Sequence, residues 1–109
     1  MNFDEYQKES RKTALYNEKR FKVYYPVLGL VGETGEVAGK IKKIIRDDNG
    51  NISEAKRLEL AKELGDVLWY LSQIVTDLGF SFNEIAEINI KKIFSRKKRG
   101  KIKGSGDNR

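Results

Sequence analysis

Two stretches of the chain place apolar residues at the three- and four-residue steps of an α-helix. The first stripe comprises Leu30, Val37, Ile41 and Ile44, and the second comprises Leu64, Val67, Leu68 and Leu71. A stripe with this period predicts an amphipathic helix whose apolar face packs against a neighbour. We therefore expect one helix over about residues 26–46 and another from Ser53 to about Leu78.

The segments on either side of these two helices predict two more. Residues 2–17 place acidic side chains early and basic side chains later, as the helix dipole favours. Residues 82–97 again show helical spacing of apolar residues. The side chains expected to face inward on these two helices are Phe3, Tyr6, Ile85, Ile88 and Ile93.

Local signals mark where the helices begin and end. Asn49-Gly50 is a turn dipeptide, and Ser53 can cap the helix that follows it. Ser81 and Glu84 have the spacing of a capping box for the fourth helix.

The four segments together predict an all-α fold. No stretch of useful length alternates as a strand does, and the predicted loops are short. We therefore expect a four-helix antiparallel bundle over residues 1–99. The C-terminal tail, residues 100–109, is rich in glycine and basic side chains, and we expect it to be loosely ordered unless a ligand or partner fixes it.

Four glycines lie within the second predicted helix, at Gly29, Gly32, Gly35 and Gly39. Each costs about 1 kcal/mol relative to alanine in an exposed helix. Two interpretations remain open. Either a neighbouring helix or a ligand approaches closely on the Gly29 and Gly32 side, or the helix is kinked and poorly formed.

Acidic residues form a pair, three residues apart, on each of the two central helices. The pairs are Glu33 with Glu36 and Glu63 with Asp66. Residues three apart are neighbours on one helix face. At about 100° per residue each pair borders its apolar stripe. Packing the stripes together would therefore bring four carboxylates towards one seam.

Carboxylates gathered at a seam repel each other and resist desolvation. A cation would relieve that cost, and an all-oxygen cluster suits a hard ion such as Mg²⁺, with Mn²⁺ as a second possibility. The alternative is that these acids are solvated side chains flanking the stripes, as most charged residues are. The repetition of the same spacing on two helices favours the metal site.

The composition excludes several kinds of chemistry and location. The chain of 109 residues has no cysteine and no histidine. Disulfides, thiolate catalysis, cysteine-ligated zinc and Ser-His-Asp chemistry are therefore excluded. No apolar run approaches the roughly 20 residues that span a bilayer. The first residues, M-N-F-D-E-Y, do not resemble a signal peptide, so we expect a cytoplasmic protein that is not bound to a membrane.

The net charge of +6 is concentrated at one end of the chain. Residues 91–109 contain nine basic residues and one acidic residue, Asp107, whereas residues 1–90 contain 13 basic and 15 acidic residues. Residues 1–90 are therefore slightly acidic and the end of the chain is basic.

Basic side chains on the predicted helices complement the acids. Lys92 and Arg96 lie with Asn89 along one narrow strip of the fourth helix, and Lys40 follows Glu36 by one helical turn. Metal ions held by the four acids would bind a polyphosphate, and these cations would neutralise its other oxygens. This is the layout that phosphoryl transfer requires. A Walker loop is absent, so no backbone cradle of that kind holds the phosphates.

The same motifs resemble those of the MazG-like all-α nucleoside triphosphate pyrophosphohydrolases. That family has Glu-x-x-Glu, then Glu-x-x-Asp, and later Asn-x-x-Lys-hydrophobic-x-x-Arg. Here they read G-E-T-G-E-V, K-E-L-G-D-V-L-W-Y-L and N-I-K-K-I-F-S-R, in that order. The likeness covers about residues 24–109, and the combination is specific although each motif alone is weak.

The resemblance implies Mg²⁺-dependent hydrolysis of a nucleoside triphosphate to the monophosphate and pyrophosphate. It implies metal ligation by the four acids, with Glu33 or Glu36, and preferably Glu33, activating the attacking water. The residues then expected to contact phosphate, sugar or base are Lys40, Tyr70, Asn89, Lys92 and Arg96. For Tyr70, as for every aromatic side chain here, core packing is the alternative. Members of the family typically form oligomers whose subunits build the site together, so we expect a homodimer or homotetramer.

Three other interpretations remain open. An all-α dUTPase-like hydrolase would attack a different phosphate of a uracil nucleotide. A nucleic-acid-binding module would use the basic C-terminal residues, although the acidic pairs would then be unexplained. A helical interaction protein with a degenerate site would show no stabilisation by Mg²⁺. We expect a nucleotide substrate and no nucleic-acid partner.

Overall fold

The computed structural model describes all residues, 1–109, and contains four α-helices and no strand. The helices are α1 (Phe3–Arg11), α2 (Tyr24–Asp48), α3 (Glu54–Asp77) and α4 (Phe82–Lys98). This confirms the expected all-α, four-helix fold. None of the helices is long and apolar enough to cross a lipid bilayer.

The local signals located most of the helix ends. Ser53 and Ser81 cap α3 and α4, and Glu84 completes the capping box of α4. Asn49 and Gly50 both have positive φ angles, 55° and 79°, as a tight turn requires. The expected span of the first helix is wrong. It ends at Arg11 because the N–H groups of residues 12–14 bond to carbonyls three residues back, and turns follow to residue 23.

Helices α2 and α3 form an antiparallel hairpin. Tyr70 on α3 lies against Gly29 near the start of α2, and Lys40 near the other end of α2 reaches Glu63. The buried apolar residues belong to these two helices: Pro26 and Ile44 to α2, and Val75 to α3. Helix α2 runs without a break through its four glycines, which excludes the poorly formed helix considered above.

Helix α1 lies between the hairpin and α4, and its Gln7 bonds to the end of α3, to the turn and to the start of α4. The side-chain amide of Gln7 donates to the Thr76 hydroxyl and to the Phe80 carbonyl, both at 2.9 Å. Its carbonyl oxygen accepts from the backbone N–H of Phe82 at 2.9 Å. Because α3 ends and α4 begins in this stretch, Gln7 fixes the turn between them.

Helix α4 is held mainly at its beginning. The rings of Phe3 and Phe82 lie 5.7 Å apart, and the N–H of Asn83 donates to Asp4. Helices α2 and α4 do not pack against each other. The Cα radius of gyration is 16.9 Å, larger than the roughly 13 Å of a compact domain of about 100 residues.

Several residues expected to face inward are exposed in the single chain. Phe3 is 63% exposed, Ile88 is 54% exposed and Ile93 is 38% exposed. Tyr6 and Ile85 are partly buried, as expected. The expectation fails for α4 because its second half has no neighbouring helix in the same chain.

The tail does not extend away from the helices as a loose end. Residues 101–109 fold back along α4, where Arg96 donates to the carbonyl of Asp107 at 2.6 Å. The side chain of Arg109 donates to the carbonyls of Lys101 and Ile102, at 3.0 and 2.9 Å. Contacts with arginine therefore give the tail a defined path, which a count of glycines does not predict.

Candidate active site

Three acids meet where α2 faces α3. Carboxylate oxygens of Glu33, Glu36 and Glu63 all lie within 4.8 Å of one another. Glu33 and Glu36 are one turn apart on α2, and Glu63 comes from the antiparallel α3. The hairpin thus brings the first predicted pair to a member of the second.

One oxygen of this cluster lacks a partner. Glu63 Oε2 is buried and accepts no hydrogen bond, and the Glu63 side chain is only 18% exposed. A buried polar oxygen without a partner is costly, and most such atoms in proteins are satisfied. The orphaned oxygen and the three neighbouring carboxylates form a donor set that fits a hard divalent cation such as Mg²⁺.

The fourth predicted ligand, Asp66, lies outside the cluster of three but acts on it electrostatically. Partial burial raises the pKa of Glu33, and the charges of Glu36, Asp66 and Glu63 raise it further. Like charges around one carboxylate favour its protonated form. A cation among them would reverse that effect.

Lys40 forms ion pairs with acidic residues of α3. Its ammonium lies 3.7 Å from Glu63 and 3.9 Å from Glu59, an acid that the motif pattern did not single out. Glu59 precedes Glu63 by one turn of α3, which is the signal that could have identified it. In this conformation Lys40 acts as a counter-ion of the acid cluster, and its expected contact with phosphate stays a prediction.

Tyr70 occupies the space between the hairpin helices beside the acids. A Cβ at Gly29 would overlap its ring, so only glycine permits this approach. Burial raises the pKa of Tyr70, and the nearby Tyr25, Glu33 and Asp66 raise it further. Tyr70 therefore joins the acid cluster to the aromatic residues next to it.

An aromatic pocket of about 240 Å³ lies next to Tyr70. Its lining residues are Thr13, Leu15, Tyr16, Tyr25, Trp69 and Tyr70. The rings of Tyr16 and Tyr25 stack at 5.1 Å, and the indole N–H of Trp69 donates to Thr13. Residues 13–16 carry no motif, so no sequence signal indicated their contribution to this pocket.

The remaining predicted contact residues belong to α4 and make no ion pair with the acid cluster. Asn89, Lys92 and Arg96 all lie on this helix, which does not pack against α2. Lys92 and Arg96 contact Asp107 of the tail instead of the acids. A single chain therefore does not bring its cationic strip to its acid cluster.

A buried carboxylate at the end of α3 organises the segment before α2. Asp77 accepts hydrogen bonds from Arg11 at 2.8 Å, Tyr16 at 2.8 Å and the Val23 N–H at 3.0 Å. Burial alone would raise the pKa of Asp77, but these three donors outweigh it and lower the pKa.

The same network fixes a tyrosine of the aromatic pocket and the start of α2. Burial and then the bond to Asp77 raise the pKa of Tyr16 to about 12. Val23 has a φ of 71°, which is strained for a β-branched residue, and its bond to Asp77 holds it there. Asp77 thus connects the strained entry into α2 with one wall of the pocket.

Two comparisons with known proteins found sequences similar to this chain. Residues 25–100 match the MazG nucleotide pyrophosphohydrolase domain. Over the full length of both proteins, the chain is 43% identical to the Gene 37 protein of Mycobacterium phage L5. No solved structure matches the chain significantly. Because the family match covers most of the sequence, including all four helix-borne acids, the chain belongs to the MazG nucleotide pyrophosphohydrolase family.

Proposed function

We propose that this protein is a Mg²⁺-dependent nucleoside triphosphate pyrophosphohydrolase that releases a nucleoside monophosphate and pyrophosphate. The observation that carries the proposal is the meeting of three carboxylates from α2 and α3, one of them with a buried, unpartnered oxygen. Membership of the MazG family supports the same reaction.

The proposed metal ligands are Glu33, Glu36, Glu63 and Asp66. A bound Mg²⁺ would supply charge neutralisation for the polyphosphate and a more acidic water. Mn²⁺ would fit the same oxygen donors.

Glu33 is the proposed residue that orients the attacking water and accepts its proton. Glu36, one turn away, is the second candidate for this role. The chain has no histidine, so no imidazole is available for this role.

The aromatic pocket is the proposed position of the sugar and base. Tyr70 lines this pocket and is also close to Glu33 and Asp66, so the pocket is next to the acids. The aromatic rings of the pocket could stack on a base. Water attacks the α-phosphorus and breaks the bond between this phosphorus and the oxygen that bridges it to the β-phosphorus. Pyrophosphate leaves with the bridging oxygen. The water oxygen then remains on the monophosphate.

A homodimer or homotetramer would complete the site. Large apolar side chains are exposed both on α4, including Ile88 and Phe94, and on α2, including Leu28 and Val31. Exposed apolar side chains on two helices would gain stability if a second copy covered them. A second copy covering these surfaces would bring Asn89, Lys92 and Arg96 to the acids of its partner.

The decisive experiment is a panel of ribo- and deoxynucleoside triphosphates incubated with Mg²⁺ in ¹⁸O-labelled water. We expect monophosphate and pyrophosphate as products, with the label in the monophosphate. Early orthophosphate would indicate an ordinary triphosphatase and contradict the proposal. Label in pyrophosphate would indicate attack at the β-phosphorus and favour the dUTPase-like alternative if uracil nucleotides are preferred.

A further inference from the structure

Residues 101–109, here called the C-terminal strap, form a loop closed by its own last side chain. The guanidinium of Arg109 donates to the carbonyls of Lys101, Ile102 and Gly106 at 3.0, 2.9 and 2.8 Å. Gly106 has a φ of 86°, which glycine adopts without steric cost. The strap is thus an internally bonded unit and not a set of independent residues.

The strap buries one of the two α4 cations that the proposed function assigns to the substrate. The side chain of Arg96 is 11% exposed. All of its hydrogen bonds go to the strap, with Asp107 O at 2.6 Å and with Gly106 O and Asp107 Oδ1 at 3.5 Å. A phosphate cannot replace these contacts while the strap remains in place.

Asp107 places a negative charge between both cations. Its Oδ1 lies 3.3 Å from Lys92 Nζ and 3.5 Å from Arg96 Nη2. Contacts with Lys92 and then with Arg96 hold the pKa of Asp107 below its usual value. One anionic oxygen shared by a lysine and an arginine is the arrangement that a phosphate oxygen would adopt there.

The contact of Asp107 with Lys92 and Arg96 is one that another anion can replace. The Asp107 side chain is 84% exposed, and ion pairs in contact with water are weak and screened by salt. A triphosphate carries several negative charges, so it competes well against a single exposed carboxylate.

We propose that the C-terminal strap is an autoinhibitory lid in which Asp107 stands in for a substrate phosphate. A polyphosphate must displace Asp107 to reach Lys92 and Arg96, and the strap opens as it does so. The inference rests on the proposed function, because that function brings phosphates to these two cations.

The first test measures binding of inorganic tripolyphosphate to the full chain by calorimetry at low ionic strength. We expect Asp107→Asn to bind about three- to tenfold more tightly than the natural sequence, because the substitution removes the carboxylate charge that competes for Lys92 and Arg96. Asp48→Asn is the matched control, because it removes an equal charge from an exposed position at the end of α2. Unchanged or weaker binding by Asp107→Asn, relative to this control, would overturn the proposal.

The second test follows the strap itself. The chain has no cysteine, so Ser105→Cys accepts a single spin label within the strap. Tripolyphosphate should increase the mobility of the label, and this response should disappear when Lys92 and Arg96 are both changed to Ala. A label that stays immobile while tripolyphosphate binds would exclude an opening strap. Neither readout requires hydrolysis, so failure of the proposed activity is seen separately in the nucleotide panel.

Discussion

The ring of Tyr70 lies directly over Gly29, in space that the smallest side chain at position 29 would occupy. We predict that Gly29→Ala displaces this ring and lowers kcat/KM for a nucleoside triphosphate by about tenfold or more, because Tyr70 is a proposed substrate contact and misplacing such a group is costly. Steady-state kinetics with the preferred nucleotide, and the Tm of the same variant, measure the effect.

Gly32→Ala is the matched control for this substitution. It lies one turn further along α2, and a Cβ at this position would have no neighbouring atom within 4 Å. It should leave kinetics unchanged and stabilise the protein by up to about 1 kcal/mol through helix propensity. Equal kinetics in the two variants would show that the approach of Tyr70 does not matter for the substrate.

Neutralising any one of the clustered acids should abolish Mg²⁺-dependent hydrolysis without unfolding the chain. Glu33→Gln and Glu63→Gln remove a proposed ligand and also relieve repulsion among Glu33, Glu36 and Glu63. The metal-free Tm should therefore stay equal or rise, whereas the increase in Tm on adding Mg²⁺ should be lost. Activity near that of the natural sequence in both variants would refute the metal site.

Glu33 should give metal-free stability a characteristic pH dependence. Its pKa is raised in the folded chain, so it binds its proton more tightly when folded than when unfolded. The fold therefore gains stability as the pH falls towards the ordinary range of a glutamate, and loses that gain as the pH rises through the raised pKa.

Comparison with Glu33→Gln isolates this effect from other titrating groups. At about neutral pH the variant should have the higher Tm, and the difference should shrink as the pH is lowered. Thermal unfolding of both proteins across that range measures it. A difference that widens towards acid would mean that the pKa of Glu33 is lowered in solution.

Substitutions of Lys92 and Arg96 distinguish the nucleotide-hydrolase hypothesis from the nucleic-acid-binding hypothesis. Lys92→Ala or Arg96→Ala should lower kcat/KM by a factor of roughly ten to a few hundred, since a charge-assisted contact contributes about 1.5–3 kcal/mol. The control pair Lys97→Ala and Lys98→Ala changes exposed charges further along α4 and should have little effect.

Oligonucleotide binding by the same variants completes the comparison. A nucleic-acid module predicts the larger loss for Lys97 and Lys98, together with a strong dependence on salt. That order of effects would contradict the placement of phosphates at Lys92 and Arg96.

Asp77 should be one of the more sensitive positions for stability. Its side chain is 1% exposed, and Asp77→Ala would leave Arg11, Tyr16 and the strained Val23 without their acceptor. We expect a loss of about 3 kcal/mol of unfolding free energy. Urea unfolding measures it, and Asp77→Asn, which keeps an acceptor oxygen, should lose less. A loss below about 1 kcal/mol in the alanine variant would contradict this role.

The elements that depend on neighbouring residues were predictable from the sequence. Ser53, Ser81 and Glu84 act within one helical turn, so their spacing alone locates the starts of α3 and α4. The paired acids were predictable for the same reason, because helical spacing and an adjacent apolar stripe determine the seam that they border.

Long-range relationships were not predictable in this way. Nothing in the spacing of Arg11 and Asp77, 66 positions apart, indicates that they meet. Likewise, the spacing of apolar residues in α4 shows which face of the helix is apolar. It does not show which other surface packs against that face. The prediction that Ile88 and Ile93 face a core is therefore wrong for a single chain.

The three hydrogen bonds of Gln7 have a practical consequence for dissecting this protein. The family match begins at residue 25, yet the turn between α3 and α4 is pinned from α1, well before that boundary. A recombinant fragment trimmed to the matched residues would therefore free α4 to swing and would lose residues 13–16 from the aromatic pocket. The residues that match the family domain and the residues whose contacts hold the four helices together have different limits in this chain.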